Sequence, residues 1–433
     1  MKKFFLILIF FVFCLNANSQ TKNNFAIRAE YMYGNILKHT THLQNLVKDP
    51  TKGVEISVEW QTMGEQNWHQ YIGYPRIGLG LVSLNLGNPE MLGNLYAAYP
   101  YLSFRLFHIG GFVMNLKGGA GASYLTKTFN DATVYRTDGS VDLDKSNAAI
   151  GSHLNVYFAG GVNFIVPIDK GFAFVSDFQW NHASNGSFYQ PNSGINMINA
   201  SAGLSYTLYY KHAYRPRHKH IRDLPQRFSY EFIASGGARE LYYKDDKQYP
   251  IGSFVMAVYR PLGNAIRLGI GVEGFYDGVY NGNTKFEFTY LTEDKWENKI
   301  RVGVSLRPEL MFGRFTAGMH FGMYVHNPLK NLEPYDDAKT ATLNKPMIYP
   351  YNIEKENGWF YSRASLQYAF TNHIFLSLGL KTHLQKAEFI EWGLGYRFGA
   401  KQSDPKRIRL SASKLKSSEL KQTNAKKNRL KSE

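Results

Sequence analysis

The chain has 433 residues, a formal net charge of +16 and an aromatic content of 15%, with 30 Tyr and 30 Phe. Its single cysteine, Cys14, lies in an N-terminal leader, so disulfides, thiolate metal sites and cysteine nucleophiles are excluded from the exported chain. No run of about 18 apolar residues follows the leader, and together with the aromatic content this favours membrane strands over membrane helices.

Residues 1–19 have the three parts of a secretory signal peptide. A basic start precedes an apolar segment, 4–15, and small residues follow at 17–19. Such a segment is too short to remain as a membrane helix, and its small residues fit a cleavage site. The sequence therefore predicts an exported chain that is cleaved before Gln20.

Alternation of apolar and polar residues predicts membrane-spanning strands through the first half. In one of them, Ile77, Leu79 and Leu81 alternate with Arg76 and two glycines. A membrane barrel turns the first set toward lipid and the second into the lumen. A secreted β-sandwich is the alternative, but its strands turn polar rather than large apolar side chains outward. The eight expected strands lie near 24–34, 53–62, 74–86, 95–106, 110–125, 154–166, 171–184 and 196–210.

The second half repeats features of the first, which indicates internal duplication. The stretch 76–81 is echoed by 267–272, and the strand pair at 95–116 is echoed by 299–325. The expected fold is all-β, an outer-membrane antiparallel β-barrel made of two eight-stranded repeats. The sequence leaves open whether about sixteen strands close as one wide barrel or as two tandem barrels.

Composition divides the exported chain into four parts. The first repeat is expected at 20–210, a basic linker at 211–227, a second, degenerate repeat at 228–399, and a basic tail at 400–433. The tail has 11 Lys or Arg against 3 acidic residues, a composition typical of disorder. Nucleic acid is not an expected partner of an exported chain. The His-Lys-His run at 218–220 has no second cluster at ligand spacing, so no metal site is expected.

Three polar residues stand on the predicted lipid-facing side of two adjoining strands. His182 and Ser184 share the even-numbered face of their strand with Phe178 and Trp180, and Asn196 begins the corresponding face of the returning strand. These residues fall at the outer end of the strands, next to the outer leaflet. Polar groups are costly against lipid, so their grouping indicates a function.

This combination of side chains suits nucleophilic catalysis. A serine hydroxyl becomes reactive when a base takes its proton, and His182 is two residues from Ser184 on the same face. Asn196 is placed to orient the imidazole through its amide oxygen, although an amide does not neutralise an imidazolium as a carboxylate does. We therefore predict that His182, Ser184 and Asn196 are catalytic.

The segment after Ser184 offers groups to stabilise an oxyanion. The candidates are the side-chain amide of Asn192 and the backbone N–H groups around Asn185 and Gly186. The same residue types are also common turn formers, so a purely structural role for this segment is the alternative.

The motif His182-x-Ser184-Asn185 followed by Pro191-Asn192-x-Gly194-Ile195 resembles the signature of the lipid A 3-O-deacylase (acyloxyacyl hydrolase) family. The resemblance implies an eight-stranded outer-membrane barrel that removes an ester-linked acyl chain from lipid A. It also implies that His182 and Ser184 are catalytic and that Asn192 contributes to the oxyanion hole. The resemblance covers the first half of the chain.

The third catalytic residue differs from that of the family. The family has a glutamate where this chain has Asn196. Outer-membrane phospholipase A has a similar His-x-Ser-Asn-Gly stretch and completes its triad with an asparagine at about this spacing. The basic residue that follows the phospholipase motif is replaced here by Ser187, so the calcium of that enzyme is not expected.

The leading functional hypothesis is a cofactor-independent outer-membrane esterase that deacylates lipid A or a related lipopolysaccharide. A phospholipase A acting on phospholipid is the enzymatic alternative, and a non-catalytic channel or surface barrel is the other. The second half lacks the Ser-Asn and Pro-Asn elements. Its His383 shares a face with Lys381, so it is expected to be luminal, with a structural or pore-lining role. Oligomeric state is left open.

Overall fold

The computed structural model describes most of the chain between Phe25 and Gly399. The described residues are 25–38, 41–131, 133–135, 141–143, 147–208, 220, 224, 226–241, 247–280, 296–327, 360–383 and 386–399. The predicted signal peptide, most of the linker and the tail lie outside them.

The first half forms a closed antiparallel barrel of eight strands in the order β1-β10-β9-β8-β5-β4-β3-β2. A small additional hairpin, β6–β7, lies in the join between β5 and β8. The strands are β1 Phe25–Ile36, β2 Thr51–Gln61, β3 Arg76–Asn85, β4 Asn94–Ile109, β5 Phe112–Leu125, β6 Thr133–Tyr135, β7 Val141–Leu143, β8 Leu154–Asp169, β9 Phe172–Ser184 and β10 Ile195–Thr207.

The second half forms its own closed barrel of eight strands, each paired with its neighbour in sequence and β11 paired with β18. The two-barrel arrangement is therefore the one adopted, and a single sixteen-stranded barrel is not. The strands are β11 Ser229–Arg239, β12 Tyr249–Pro261, β13 Ile266–Asp277, β14 Ile300–Phe312, β15 Phe315–His326, β16 Phe360–Ala369, β17 Ile374–His383 and β18 Lys386–Gly399.

The sequence echoes between the two halves fall on equivalent strands. The stretch 76–81 begins β3, the third strand of the first barrel, and 267–272 lies in β13, the third strand of the second. Their glycines leave space for tyrosine rings in the lumen. A Cβ at Gly78 would lie 2.1 Å from the Tyr101 ring, and one at Gly269 would lie 2.4 Å from the Tyr259 ring. The small residues of this repeated pattern therefore serve packing inside each barrel.

Ion pairs fill the lumen of the first barrel. Arg28 contacts Asp177 at 2.9 Å and Glu59 at 2.9 Å, while Lys117 contacts Asp177 at 2.9 Å and Glu55 at 2.7 Å. All five side chains are buried. An eight-stranded barrel is just wide enough for its inward side chains to fill it, and opposite charges in contact satisfy one another there.

The lumen of the second barrel is filled in the same way by a richer set of arginines. Glu231 accepts hydrogen bonds from both Arg267 and Arg397, and Arg301 reaches Asp277 at 3.1 Å and Glu388 at 3.2 Å. A further buried cluster joins Glu273, Glu391, Arg307 and Arg363. Each lumen is therefore a polar core built from charged side chains.

Long joins collect at one end of the first barrel, called here the loop end, and shorter ones collect at the opposite turn end. The loop-end joins are 37–50, 86–93, 126–153 and 185–194, and the first of them carries helix α1 (Thr41–Leu46). The turn-end join 62–75 is the exception and carries helix α2 (Asn67–Tyr71), whereas the other two turn-end joins, 110–111 and 170–171, have two residues each. Among the described residues, no helix has the length and apolar character needed to cross a membrane.

The two barrels lie side by side and point the same way, because they touch at both ends. At the turn end, the ring of Trp68 in α2 meets that of Phe312 at 6.2 Å. At the loop end, the segment that follows β9 contacts residues at the loop-end termini of β11 and β18. The loop-end contact lies directly beside the predicted catalytic residues.

Candidate functional site

The predicted catalytic residues lie together at the loop end of β9 and β10. The pairing of these strands places His182 directly opposite Asn196, and Ser184 is the last residue of β9. Period-2 alternation puts 182, 184 and 196 on the face opposite to the buried luminal residues Asn181 and Gln179. The three therefore share the outward face of the barrel wall.

Hydrogen bonds connect the three side chains in the order expected of a triad. His182 Nε2 lies 2.9 Å from Ser184 Oγ, and His182 Nδ1 lies 2.8 Å from Asn196 Oδ1. An amide oxygen only accepts hydrogen bonds, so Nδ1 carries the ring proton. Nε2 is consequently the acceptor for the Ser184 hydroxyl, which is the tautomer that a general base needs.

Aromatic side chains surround the imidazole on the outward face. The Trp180 ring stacks beside His182 with centroids 5.6 Å apart and an interplanar angle of 14°, and the Phe158 ring lies 6.2 Å away. On the same outward face, Phe178 is 54% exposed and Trp180 is 41% exposed. Exposed rings on a barrel wall are typical of a surface that contacts acyl chains. Ser184 itself is only 3% exposed.

The join 185–194, called here the site loop, is held by an internal hydrogen bond between Asn185 and Asn192. The backbone N–H of Asn185 donates to Asn192 Oδ1 at 3.2 Å. Asn185 Nδ2 donates to Ser152 Oγ at 2.9 Å and to the Tyr189 carbonyl at 2.9 Å. The Asn185 N–H, expected as an oxyanion donor, is therefore engaged by Asn192. Because Asn192 Oδ1 accepts this hydrogen bond, the side-chain nitrogen of Asn192 is the atom left to donate to an oxyanion.

The site loop also rests on the second barrel. The Glu240 N–H donates to the Ser187 carbonyl at 3.1 Å, and Ser187 Oγ donates to the Ala387 carbonyl at 2.8 Å. Gly186 lies so close to β18 that a Cβ there would come within 2.4 Å of Ile390 Cγ1. The required close approach and the φ of +62° explain a glycine at this position.

Sequence reasoning predicted the three side chains that the structure brings together, and it missed the residues that support the site loop. Ser152 and Glu240 support the site loop from distant parts of the chain, 33 residues before Asn185 and 50 residues after Gln190. Neither belongs to a periodic pattern or a motif. The side chain of His383 lies outside the described part of the chain. Among the described residues, no group of three or more His, Cys, Asp or Glu is placed to hold a metal ion.

Comparison with protein families gives two matches that together span most of the chain. Residues 52–205 match the model described as lipid A 3-O-deacylase (PagL). Residues 228–336 and 347–401 match the model described as acyloxyacyl hydrolase, C-terminal domain. The first match contains the triad and the site loop, and the second covers the barrel on which that loop rests. No curated protein matches the chain.

Solved structures with similarity to the chain include outer-membrane barrels. Neisserial surface protein A is 10% identical with a TM-score of 0.29, and the match covers 42% of this chain and 97% of that one. A mutant Rh. blastica porin is 9% identical with a TM-score of 0.18, and the match covers 86% of this chain and 100% of that one. Scores this low add nothing to the strand topology given above.

Proposed function

Because the chain belongs to the lipid A 3-O-deacylase family, outer-membrane hydrolases of ester-linked acyl chains, we propose that it deacylates lipid A as a serine esterase. The observation that carries this proposal is the position of the His182 imidazole. It lies 2.9 Å from Ser184 Oγ on one side and 2.8 Å from Asn196 Oδ1 on the other.

In the proposed reaction, Ser184 is the nucleophile. His182 Nε2 takes the hydroxyl proton while Ser184 Oγ attacks the ester carbonyl carbon. The same nitrogen then returns the proton to the departing sugar oxygen, which leaves an acyl-serine. Water, deprotonated at the same Nε2, then attacks the acyl carbon, and Nε2 returns that proton to Ser184 Oγ as the fatty acid leaves. Throughout the cycle, Asn196 Oδ1 holds the ring by accepting from Nδ1.

The developing oxyanion needs donors aimed at it in the transition state. The Asn192 amide nitrogen is the proposed donor, because its oxygen end is held by the Asn185 N–H at 3.2 Å. Donors fixed before the reaction cost no reorganisation when charge develops. This assignment makes the shape of the site loop important to the rate.

The outward position of the site suits a substrate that stays in the membrane. Lipid A presents its acyl chains beside the barrel wall, where Trp180 and Phe158 flank His182. The alternative of a channel is disfavoured by the charged side chains that fill both lumens. A phospholipase acting on glycerophospholipid would use the same three side chains, and the experiment below separates the two substrates.

The test is mass spectrometry of lipid A and phospholipids from cells that make the protein, compared with cells that do not. Loss of one ester-linked acyl chain from lipid A is expected, and Ser184→Ala should abolish it. Ser176→Ala is the matched control, because Ser176 is on the outward face of the same strand and donates to the Ser201 carbonyl at 2.8 Å. Unchanged lipid A together with new lysophospholipid would assign the enzyme to phospholipid instead.

A further inference from the structure

The second barrel provides a set of hydrogen bonds that fix the site loop. Glu240, at the loop end of β11, is 5% exposed and contacts the loop through both its backbone and its side chain. Its N–H donates to the Ser187 carbonyl at 3.1 Å, and its Oε2 accepts from the Gln190 N–H at 2.7 Å. One buried residue thus contacts the loop at two positions, Ser187 and Gln190.

Gln248, just before β12, extends this support. Its Nε2 donates to the Phe188 carbonyl at 2.6 Å and to Glu240 Oε1 at 3.1 Å. Glu240 and Gln248 therefore contact three loop residues, Ser187, Phe188 and Gln190, all of which lie between Ser184 and Asn192. A buried carboxylate is stable only with donors around it, and here some of those donors belong to the other barrel.

The loop conformation that they hold is a strained one. Ser187 has φ of +66°, a left-handed conformation that is uncommon for residues other than glycine. Such conformations persist where the surroundings determine them, and they cluster at functional sites. Here the surroundings are the second barrel, since Ser187 also donates through Oγ to the Ala387 carbonyl at 2.8 Å.

We infer that Glu240, assisted by Gln248, is a positioning residue for the oxyanion-binding side of the active site, so that the second barrel acts as a clamp required for full activity. This inference rests on the proposed function, because it assigns the oxyanion to Asn192. The clamp acts on the segment that joins the nucleophile to that donor, and it touches neither the acyl chain nor the reacting atoms.

A donor that is displaced by a small distance weakens binding of the transition state more than binding of the substrate. Glu240→Ala should therefore lower kcat by about 10- to 100-fold with little change in KM, since misplacement by about 1 Å has that order of effect. Glu240→Gln should retain more activity than Glu240→Ala, because its amide oxygen still accepts from the Gln190 N–H. Gln248→Ala should show a smaller loss of kcat in the same direction.

The discriminating variant is the double mutant Glu240→Ala with Ser187→Gly. Glycine adopts a φ of +66° without strain, so the loop needs less support. The variant loses the Ser187 Oγ bond to the Ala387 carbonyl but keeps the Ser187 backbone carbonyl, so kcat should partly recover relative to Glu240→Ala alone. The control is Glu90→Ala, which removes an exposed carboxylate from another loop-end join, where it faces Lys48 at 3.4 Å. All variants are purified as full-length protein and assayed on lipid A micelles, with thermal unfolding measured in parallel.

Loss of kcat at constant KM, with recovery in the double mutant, would support the clamp. Glu240→Ala with the activity of the unmodified protein would overturn it, and so would a loss of kcat that follows thermal stability and is not recovered by Ser187→Gly. These outcomes are separate from failure of the proposed function. In that case the unmodified protein and its Ser184→Ala variant would release the same amount of fatty acid.

Discussion

The two barrels have the same strand order and the same kind of charged lumen, yet they differ sharply at one pair of strand ends. In the first barrel, β9 and β10 are joined by the ten-residue site loop, 185–194. In the second barrel, β17 and β18 are joined by only 384–385. Both strands begin with an exposed residue, Phe172 in β9 and Ile374 in β17. Ten residues further along the sequence, the first barrel has His182 and the second half has Leu384.

Under the proposed function, the chemistry belongs to the rim and the outer wall of the first barrel, while the charged side chains of the lumen serve as its core. The short join of the second barrel also leaves the start of β18 open to contact. Ala387 and Ile390 meet the site loop there. The barrel without a site loop of its own thus supports the loop of its neighbour. Three predictions test this division of roles.

The largest effect is expected from the triad. His182→Ala, Ser184→Ala and the double mutant should each lower kcat by about three or more orders of magnitude, and the double mutant should be no worse than the worse single. The reason is that base and nucleophile act as one unit. Initial rates of fatty-acid release from lipid A micelles measure this.

His383→Ala is the matched control from the second barrel, and its rate should equal that of the unmodified protein. Full activity in Ser184→Ala with loss in His383→Ala would place the active site in the other half of the chain.

The next effect concerns stability and tests whether the two lumens are equivalent cores. Glu231→Ala leaves Arg267 and Arg397 without their shared carboxylate, and Asp177→Ala does the same to Arg28 and Lys117. Glu231→Ala should lower the free energy of unfolding by about 3–5 kcal/mol, because Arg397 loses its carboxylate partner and remains buried. Asp177→Ala should lower it by less, because Arg28 keeps its contact with Glu59 and Lys117 keeps its contact with Glu55. Denaturant unfolding in detergent micelles measures the change.

The surface pair of Glu90 and Lys48 provides the reference, because exposed pairs contribute little to stability. If Glu231→Ala were as harmless as Glu90→Ala, the second lumen would be filled with water, and the channel hypothesis would regain support.

The smallest effect is expected at Asn196, where the sequence departs from the glutamate of the family. Asn196→Ala should lower kcat by about 10- to 100-fold, the value of one hydrogen bond to a group that becomes charged. Asn196→Glu should retain or raise kcat, because a carboxylate stabilises the imidazolium as it forms. Initial rates on lipid A micelles for the three proteins decide this. Equal rates would remove Asn196 from the triad.

The sequence alone was sufficient to predict the strands of the first barrel and the juxtaposition of His182, Ser184 and Asn196. Both follow from local rules. Alternation with a period of two assigns each residue to a face, and a short join between consecutive strands brings their ends together. The observed β9, Phe172–Ser184, and β10, Ile195–Thr207, lie within a few residues of the predicted strands at 171–184 and 196–210.

Closure and contacts between distant segments were decided only by the tertiary structure. The pairing of β1 with β10 and of β11 with β18 makes two barrels instead of one, and alternation does not specify which distant edges pair. The contact between Glu240 and the Gln190 N–H at 2.7 Å likewise depends on how two separate barrels pack. Periodicity indicates which face of a strand a side chain lies on, but it does not specify which distant part of the chain that side chain will contact.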